Sequence, residues 1–239
     1  MRLANRTILI TGGSADIGLA FAHRFVELGN EVIVTGRRQA VLDQAKAMHP
    51  KLHTIQSDVA DPAQIAALAA SVKADFPKLD VLVNNAGISR YRNVGGVLRM
   101  TSAFIDILTA NRGTLINISS GLAFVGLPCL PIYCATKAAI HSYTQSLRFQ
   151  FEDSGLEIIE IMPPAVKTDM TADLSEGDGI TLISTEELVK HSFTSLKAGA
   201  LEIHPGQSKQ LALMRRVAPN FINRQLWKAS KKYVPIGPG

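Results

Sequence analysis

Short apolar runs of strand length recur along the chain and are separated by stretches with helical periodicity. Six of these runs are rich in Ile, Val and Leu, and they cover residues 7–11, 31–36, 52–58, 79–85, 113–119 and 156–162. The runs are almost continuously apolar rather than alternating, which is typical of strands covered on both faces in parallel sheets. A shorter strand at 200–203 is expected to close one edge of the sheet.

Amphipathic stretches fill the gaps between these runs. In residues 17–28 the apolar positions follow i, i+3, i+4 spacing, and Gly29 is a natural C-cap. The stretch 62–76 begins with Pro62 directly after Asp61, a common N-cap and first-turn pair. Because strand and helix alternate, the sequence predicts an α/β fold, a Rossmann-type doubly wound parallel sheet in a single domain.

Composition excludes several other classes of protein. The 239 residues are 46% apolar and 19% charged, which argues against a disordered chain. Every apolar run is interrupted before the roughly 18 residues that a membrane-spanning helix needs. The chain has two cysteines, too few for a disulfide framework, so we expect a cytoplasmic protein without a transmembrane segment.

Positive charge is concentrated near the C-terminus. The whole chain carries +5, whereas residues 203–239 carry seven basic side chains and no acid, so the remainder carries −2. We expect an α/β domain over 1–206, and over 207–239 a basic helix and tail packed on it or trailing from it. Such a tail can contact nucleic acid or an acidic membrane. A solvated helix face is the preferred interpretation, and no nucleic-acid partner is expected.

The turn between the first strand and the first helix is rich in small residues. It reads TGGSADIG over residues 11–18, and its candidate binding residues are Gly12, Ser14, Ile17 and Gly18. Small residues let the backbone approach a phosphate, and the helix N-terminus offers free N–H groups to an anion. The turn therefore predicts nucleotide binding.

The second strand ends in Arg37 and Arg38. Sheets that bind NAD usually offer a carboxylate here to the ribose 2′-hydroxyl, and this chain has none. Two guanidinium groups are suited to a 2′-phosphate instead. NADP is therefore favoured over NAD, the alternative being two exposed arginines without a ligand.

Candidate acid–base residues lie in and before the helical stretch that follows the fifth strand. Tyr133 and Lys137 are four residues apart, so they share one helix face. A phenol titrates at about 10, and a nearby ammonium makes it usable in acid–base catalysis. Ser120 follows the fifth strand, at the edge where open α/β sheets bind ligands, and can hydrogen-bond a carbonyl oxygen. The six histidines show no metal-ligand spacing, so no metal is assigned.

Taken together, these motifs resemble the short-chain dehydrogenase/reductase family. The features that carry the resemblance over residues 5 to about 205 are TGGSADIG, NNAG, YCATK and a serine thirteen residues before the tyrosine. The stretch 119–148 also resembles the subgroup named for the oxidoreductase of the D-alanyl-lipoteichoic-acid operon.

The resemblance implies an NADP-dependent oxidoreductase that moves hydride between nicotinamide and a carbonyl or alcohol. It makes Tyr133 the general acid/base, Ser120 the residue that polarises the carbonyl, and Lys137 the residue that lowers the tyrosine pKa and binds the nicotinamide ribose. It also implies a homodimer or homotetramer built on the fourth and fifth helices. The further cofactor contacts that it implies are Asp58, Val59, Asn85, Ala86, Gly87, Val166 and Thr168.

The resemblance places a fourth catalytic residue, Asn93, at a water-binding position in the fourth helix. The connection from Gly87 to Asn93 is several helical turns shorter here than in the family. A true deletion is one explanation. The other, which we favour because the motifs on both sides are intact, is that the protein has further residues between about Arg90 and Asn93 that this sequence omits.

Two further features depart from the motifs or extend them. Asp16 stands where the family has the middle glycine of its turn, and we expect its carboxylate to cap the first helix. Residues 170–181 are expected to form a loop covering the substrate, before a helix capped by Ser184, although a long polar loop can also be a simple connector.

Two classes of function fit the motifs. One is an active reductase or dehydrogenase acting on a small molecule, and the other is a catalytically weak NADP-binding regulator or scaffold. The intact set of Ser120, Tyr133 and Lys137 favours the enzyme, because a scaffold does not need all three.

Overall fold

The computed structural model describes residues 1–87, 92–172 and 181–233, without the side chains of Arg92, Asn93 and Lys232. The shortened junction between Gly87 and the fourth helix and most of the expected covering loop therefore lie outside the described residues.

Seven parallel strands form one sheet in the order β3-β2-β1-β4-β5-β6-β7. The strands are β1 Thr7–Thr11, β2 Glu31–Gly36, β3 His53–Gln56, β4 Leu79–Asn84, β5 Thr114–Ile118, β6 Glu157–Ile161 and β7 Glu202–Ile203. Each lies where the apolar pattern predicts it, and most bounds differ by one or two residues. The predicted parallel sheet, including the short edge strand, is confirmed.

Eight α-helices connect or follow these strands in the described part of the chain. They are α1 Asp16–Glu27, α2 Gln39–Met48, α3 Pro62–Asp75, α4 Arg92–Ala110, α5 Pro131–Gln150, α6 Thr185–Lys197, α7 Gln207–Val217 and α8 Pro219–Ser230. The Asp61 side chain caps α3 by accepting from the backbone N–H of Ala63, and Ser184 and Glu187 form a capping box on α6. Both caps agree with the sequence analysis.

The helices cover both faces of the sheet. On one face α1, α2 and α6 pack on alternate strand residues, and Phe21, Phe25 and Phe193 form an aromatic cluster there. On the other face α3, α4 and α5 pack on the remaining strand residues, with Phe104 fully buried. Strands covered on both sides require continuous apolar sequence, which is the pattern that the chain shows.

Strand order reverses between β1 and β4. The connections lead outward from this pair in opposite directions, so a crevice opens above the carboxyl ends of the two strands. The ends of β1, β4, β5 and β6 thereby bring residues 11–18, 84–87, 119–121 and 163–168 to one edge of the sheet.

A buried chain of polar side chains joins the sheet to α4 and α5 beneath this edge. The Asn84 side chain donates to Asn117 Oδ1 over 2.9 Å and to Thr101 Oγ1 over 3.1 Å, and Asn117 donates to Thr144 Oγ1 over 2.9 Å. Paired polar groups of this kind fix the relative position of the elements that carry them.

The basic C-terminal segment forms two helices where the sequence analysis expected one. α7 packs on a short 3-10 turn, Gly121–Ala123, that follows β5, and α8 packs back on α7. Among the described residues, no helix is long and apolar enough to span a lipid bilayer.

Candidate active site

The glycine-rich turn after β1 has a backbone that only small residues permit. Gly12 has φ +64°, and a Cβ at this residue would lie 3.0 Å from the Cα of Ala86. A Cβ at Gly18 would lie 2.2 Å from the carbonyl oxygen of Gly12. The turn thus leaves a close-packed backbone cradle at the N-terminus of α1, a geometry suited to a pyrophosphate.

The end of β4 holds the turn in place. The Asn85 side-chain nitrogen donates to the carbonyl oxygens of Thr11 and Gly12, at 3.0 Å each. The Thr11 hydroxyl accepts from the backbone N–H groups of Asn85 and Ala86 and donates to the carbonyl of Val83. These hydrogen bonds of Thr11 connect the end of β1 to the end of β4. Thr11 was not among the expected site residues, although it is the first residue of the TGG motif.

The capping role expected for Asp16 is wrong. The N-cap of α1 is Ala15, and Asp16 is the first helical residue, with φ +49°. Its carboxylate accepts a hydrogen bond from the backbone N–H of Asp169 instead of a helix N–H. Burial, together with the neighbouring charge of Asp169, raises the pKa of Asp16, while Arg38 acts in the opposite direction.

The residues expected at the adenosine end lie around the ends of β2 and β3. Arg37 and Arg38 are exposed, and Arg38 precedes α2 as its N-cap residue. Asp58 accepts from the backbone N–H of Ala60 over 2.9 Å, which shapes the turn after β3. Val59 contacts α4, where a Cβ at Gly96 would lie 3.0 Å from its Cγ2 atom.

Ser120, Tyr133 and Lys137 meet between β5 and α5. Ser120 is buried directly after β5, and its hydroxyl accepts from the N–H of Leu122 and hydrogen-bonds to the Tyr133 phenol. The Lys137 ammonium lies 5.6 Å from the centre of the Tyr133 ring and donates to the carbonyl of Ile118 over 3.0 Å. The i, i+4 spacing therefore places the two side chains together, as expected.

Burial shifts the pKa values of both α5 residues. Removal of Lys137 from water lowers its pKa to about 8, and the charge of Glu160 acts in the opposite direction. Burial raises the pKa of the Tyr133 phenol, while the hydrogen bond from Ser120 lowers it. At neutral pH Lys137 is thus mostly protonated and Tyr133 is a phenol, the state that can donate a proton.

A buried carboxylate lies behind this pair. Glu160 on β6 is fully buried, accepts from the Ser119 hydroxyl, and pairs with His141 Nδ1 at 2.7 Å. The hydrogen bond to Glu160 raises the pKa of His141, which favours the charged form of the imidazole beside this carboxylate. The sequence analysis missed it, although a glutamate inside the apolar strand EIIEI was a visible signal.

The same network contains a group with metal-ligand chemistry. Ligand atoms of His141, Glu160 and Glu202 lie within 4.8 Å of one another. Arg148 on α5 pairs with Glu202 at 2.6 Å, so this carboxylate already has a cationic partner. The arrangement is therefore that of a charge network between α5, β6 and β7.

The loop after β6 completes the cavity wall. The Pro163 carbonyl accepts from the N–H of Gly121 over 2.8 Å, which joins this loop to the segment that carries Ser120. Val166 is buried and pairs with Ile183, while Thr168 and Thr171 form a capping box that starts a short 3-10 turn. Val166 and Thr168 thereby face the same cavity as Tyr133.

One cavity of about 1250 Å³ brings the expected residues together. The expected site residues that line it are Gly12, Ser14, Ile17, Gly18, Arg37, Arg38, Asp58, Val59, Asn85, Ala86, Gly87, Ser120, Tyr133, Lys137, Val166 and Thr168. The side chain of Asn93 lies outside the described residues. The cavity exceeds the roughly 300–1,000 Å³ of common small-molecule sites, so it has room for a nucleotide and a second molecule.

The fold and this cavity define a Rossmann-type nucleotide-binding oxidoreductase. The family model for short chain dehydrogenases matches residues 6–179. The chain is 40% identical over 224 residues to the oxidoreductase DltE of Bacillus subtilis (strain 168), described as uncharacterized, covering 85% of this chain and 89% of that protein.

Two solved structures share the fold. A short chain dehydrogenase from Burkholderia cenocepacia J2315 in complex with NADP aligns with a TM-score of 0.84 and 23% identity, over 95% of this chain and 99% of that one. A short chain dehydrogenase/reductase from Burkholderia phymatum in complex with NAD aligns with a TM-score of 0.76 and 17% identity, over 90% and 95% of the two chains.

The chain belongs to the short-chain dehydrogenase/reductase family and is a DltE-like member of it. It is thus an oxidoreductase of a family that acts on CH–OH or C=O groups. The resemblance found in the sequence is confirmed.

Proposed function

We propose that the protein is an NADP(H)-dependent oxidoreductase of a carbonyl or alcohol substrate, with Tyr133 as general acid/base. The observation that carries the proposal is the meeting of Ser120, Tyr133 and Lys137 in the cavity that also contains the glycine-rich turn. A scaffold protein has no need of a buried lysine beside a half-buried tyrosine in the nucleotide-binding cavity, so the catalytically weak alternative is not favoured.

The residues present fit a dinucleotide. The cradle at Gly12 and Gly18 would be filled by any Cβ, and it lies at a helix N-terminus. Exposed Arg37 and Arg38 line the same cavity, and two guanidinium groups without a neighbouring carboxylate on that strand end favour a 2′-phosphate, hence NADP over NAD. When bound, the nicotinamide exchanges a hydride with the substrate carbon.

Three side chains of the protein take part in the transfer of the proton to or from the substrate oxygen. In reduction, the Ser120 hydroxyl donates a hydrogen bond to the carbonyl oxygen, and the Tyr133 phenol transfers its proton to that oxygen as negative charge develops on it. The Lys137 ammonium stabilises the phenolate that remains. In the oxidative direction the phenolate removes the alcohol proton.

The other expected contacts keep the roles that the family resemblance implies. Asp58 and Val59 would contact the adenine, Asn85 and Ala86 the adenosine ribose side, and Gly87 would also contact the cofactor. Val166 and Thr168 would contact the nicotinamide amide and the pyrophosphate, and Asn93 would hold a relay water. We infer that residues 1–206 form the NADP-binding catalytic domain and that 207–239 form a basic segment packed on it or trailing from it. Within the described residues, α7 packs on the turn that follows β5 and α8 packs on α7.

Assembly and location are further parts of the proposal. Phe149 on α5 is 79% exposed, and an apolar side chain so open to water supports a homodimer or homotetramer built on α4 and α5. The two cysteines are unpaired, which agrees with a cytoplasmic location. Cell fractionation tests the location.

A screen of NADPH oxidation with aldehydes, ketones and quinones tests the activity. Tyr133→Phe is expected to abolish turnover, because the variant has no proton to transfer, while NADPH still binds. Tyr143→Phe is the matched control, since Tyr143 is half-buried on the same helix and does not line the cavity. Full activity of Tyr133→Phe would contradict the proposed acid/base.

A further inference from the structure

The two C-terminal helices form one wall of the active-site cavity. The residues of α7 that line it are Gln207, Gln210, Leu211 and Met214, and those of α8 are Phe221, Ile222, Gln225, Leu226, Lys228 and Ala229. The lining positions of α7 follow i, i+3, i+4, i+7 spacing, and on α8 Phe221, Gln225 and Ala229 follow i, i+4, i+8 spacing. Most of the lining residues of each helix therefore lie on one face of it. The wall therefore consists of two helix faces turned toward the space beside Ser120.

Close packing fixes α7 beside the catalytic residues. Ser208 is fully buried against the 3-10 turn that follows Ser120, and a Cβ at Gly121 would lie 2.5 Å from the Ser208 hydroxyl oxygen. The Gln207 side chain also exchanges hydrogen bonds with Thr181 over 3.2 Å. The wall is thus held next to the atoms that bind the substrate oxygen.

The chemistry of this side of the cavity is mainly apolar. Seven large apolar side chains line it, from the segment before α5 and from both helices: Leu127, Leu130, Leu211, Met214, Phe221, Ile222 and Leu226. Leu211, Met214, Ile222 and Leu226 are each half-buried, so they keep apolar surface that a bound molecule can cover.

The polar residues of the wall lie mostly toward solvent. Gln210, Gln225 and Lys228 are exposed, and the buried Ser230 hydroxyl donates to the carbonyl of Trp227 at 3.5 Å. Among the described residues that line the cavity, the two acids, Asp16 and Asp58, belong to the nucleotide-binding end. A polyol bound here would bury several of its hydroxyl groups against Leu, Met and Ile side chains, which offer no hydrogen bonds. Each buried hydroxyl group without a hydrogen-bond partner costs free energy.

We propose that this half of the cavity binds the apolar body of the substrate, and that the substrate is an aldehyde, ketone or alcohol on an extended alkyl chain. The inference rests on the proposed function, because it names the substrate class of the same site. The carbonyl lies at Ser120 and Tyr133, and the chain extends along the faces of α7 and α8. Each further methylene covers apolar surface of the wall until the cavity is filled.

Straight-chain aldehydes from butanal to decanal test the inference, with NADPH at saturation. We expect kcat/KM to rise by about fourfold for each added methylene until the wall is covered. Phe221→Ala should lower kcat/KM for decanal at least about tenfold and leave butanal nearly unchanged. Val217→Ala is the matched control, because Val217 is 72% exposed on the same helix pair and does not line the cavity.

Equal kcat/KM for butanal and decanal, or a preference for glyceraldehyde over both, would overturn the inference. A second readout keeps it separate from the proposed function. Calorimetric binding of butan-1-ol to decan-1-ol in the presence of NADP should show an affinity that rises with chain length and falls in Phe221→Ala. If no carbonyl is turned over but this dependence is present, the proposed function fails and the inference stands; without the dependence, the inference fails.

Discussion

Glu160 is a carboxylate in the middle of an apolar strand, and its two oxygens are occupied by Ser119 and His141. It is the charge that raises the pKa of buried Lys137 against the effect of desolvation. The groups that face this network are Lys137, His141 and Arg148 from α5, Glu202 from β7 and His204 after it. The carboxylate therefore favours the charged form of the lysine, and it does not itself line the cavity.

Replacement of Glu160 should alter the pH dependence of catalysis. In the proposed mechanism Lys137 acts while protonated, below its pKa of about 8. Without the negative charge of Glu160 the lysine loses its proton at lower pH, so in Glu160→Gln the basic limb of the kcat/KM profile for carbonyl reduction should move to lower pH. Glu202→Gln is the control, and it should leave the basic limb of the kcat/KM profile almost in place. An unshifted basic limb in Glu160→Gln would contradict the role of Glu160.

Two features of Asp16 are unfavourable at this position, and glycine would remove both: a left-handed backbone conformation and a negative charge. Its φ of +49° lies in the left-handed region, and its carboxylate lines the cavity beside the glycine-rich turn. Asp16→Gly should tighten NADPH binding severalfold, about 1 kcal/mol, because a like charge is removed from a partly exposed site.

Fluorescence titration with NADPH measures this change, and the gain should shrink at high salt. Asp43→Asn is the control, since Asp43 is exposed on α2 and does not line the cavity. Unchanged or weaker affinity of Asp16→Gly would show that the hydrogen bond from Asp169 matters more than the repulsion.

At the scale of elements, the short turn Gly121–Ala123 connects Ser120, which we propose to be catalytic, to α7. Gly121→Ala should push Ser208 and α7 away from β5, at a cost of about 1–3 kcal/mol in the free energy of unfolding, as for other overpacked sites. It should also raise KM more than it lowers kcat, because the displacement falls mainly on α7 and less on Ser120, which follows β5.

Gly126→Ala is the matched control, because a Cβ at Gly126 meets nothing within 4 Å in the same loop region. Chemical denaturation and steady-state kinetics measure the two effects. Equal stability of the two variants would mean that α7 tolerates displacement.

Local sequence patterns predicted the elements well because their causes are local. Continuous Ile and Val runs defined the strands, and Asp61 and Ser184 marked helix starts with their caps. The partner of Asp16 could not be predicted in this way, since Asp169 lies far along the chain and meets it only through the fold. The same holds for the Glu160 network, whose members come from β5, α5 and β6.

For the whole molecule, we expect the outer surface of α5 to form part of the proposed interface between subunits. Phe149→Glu should convert the proposed dimer or tetramer to a smaller species, because a carboxylate replaces the exposed apolar side chain at the contact. Light scattering coupled to size exclusion measures the change. Met48→Glu, at a 60% exposed position on α2, should leave the mass unchanged. A monomeric parent protein would contradict the proposed assembly.

The residues that we assign to proton transfer and those that we assign to the substrate lie in parts of the chain that are separate in sequence. Ser120 follows β5, and Tyr133 and Lys137 lie on α5, whereas the two helices that we assign to the substrate, α7 and α8, form one contiguous stretch. Substrate range can therefore diverge through replacement of that stretch, with the acid–base chemistry inherited intact. Gly206, which precedes α7, is the natural junction for such an exchange by protein engineering. A different pair of helices joined there would give the proposed catalytic residues a different substrate.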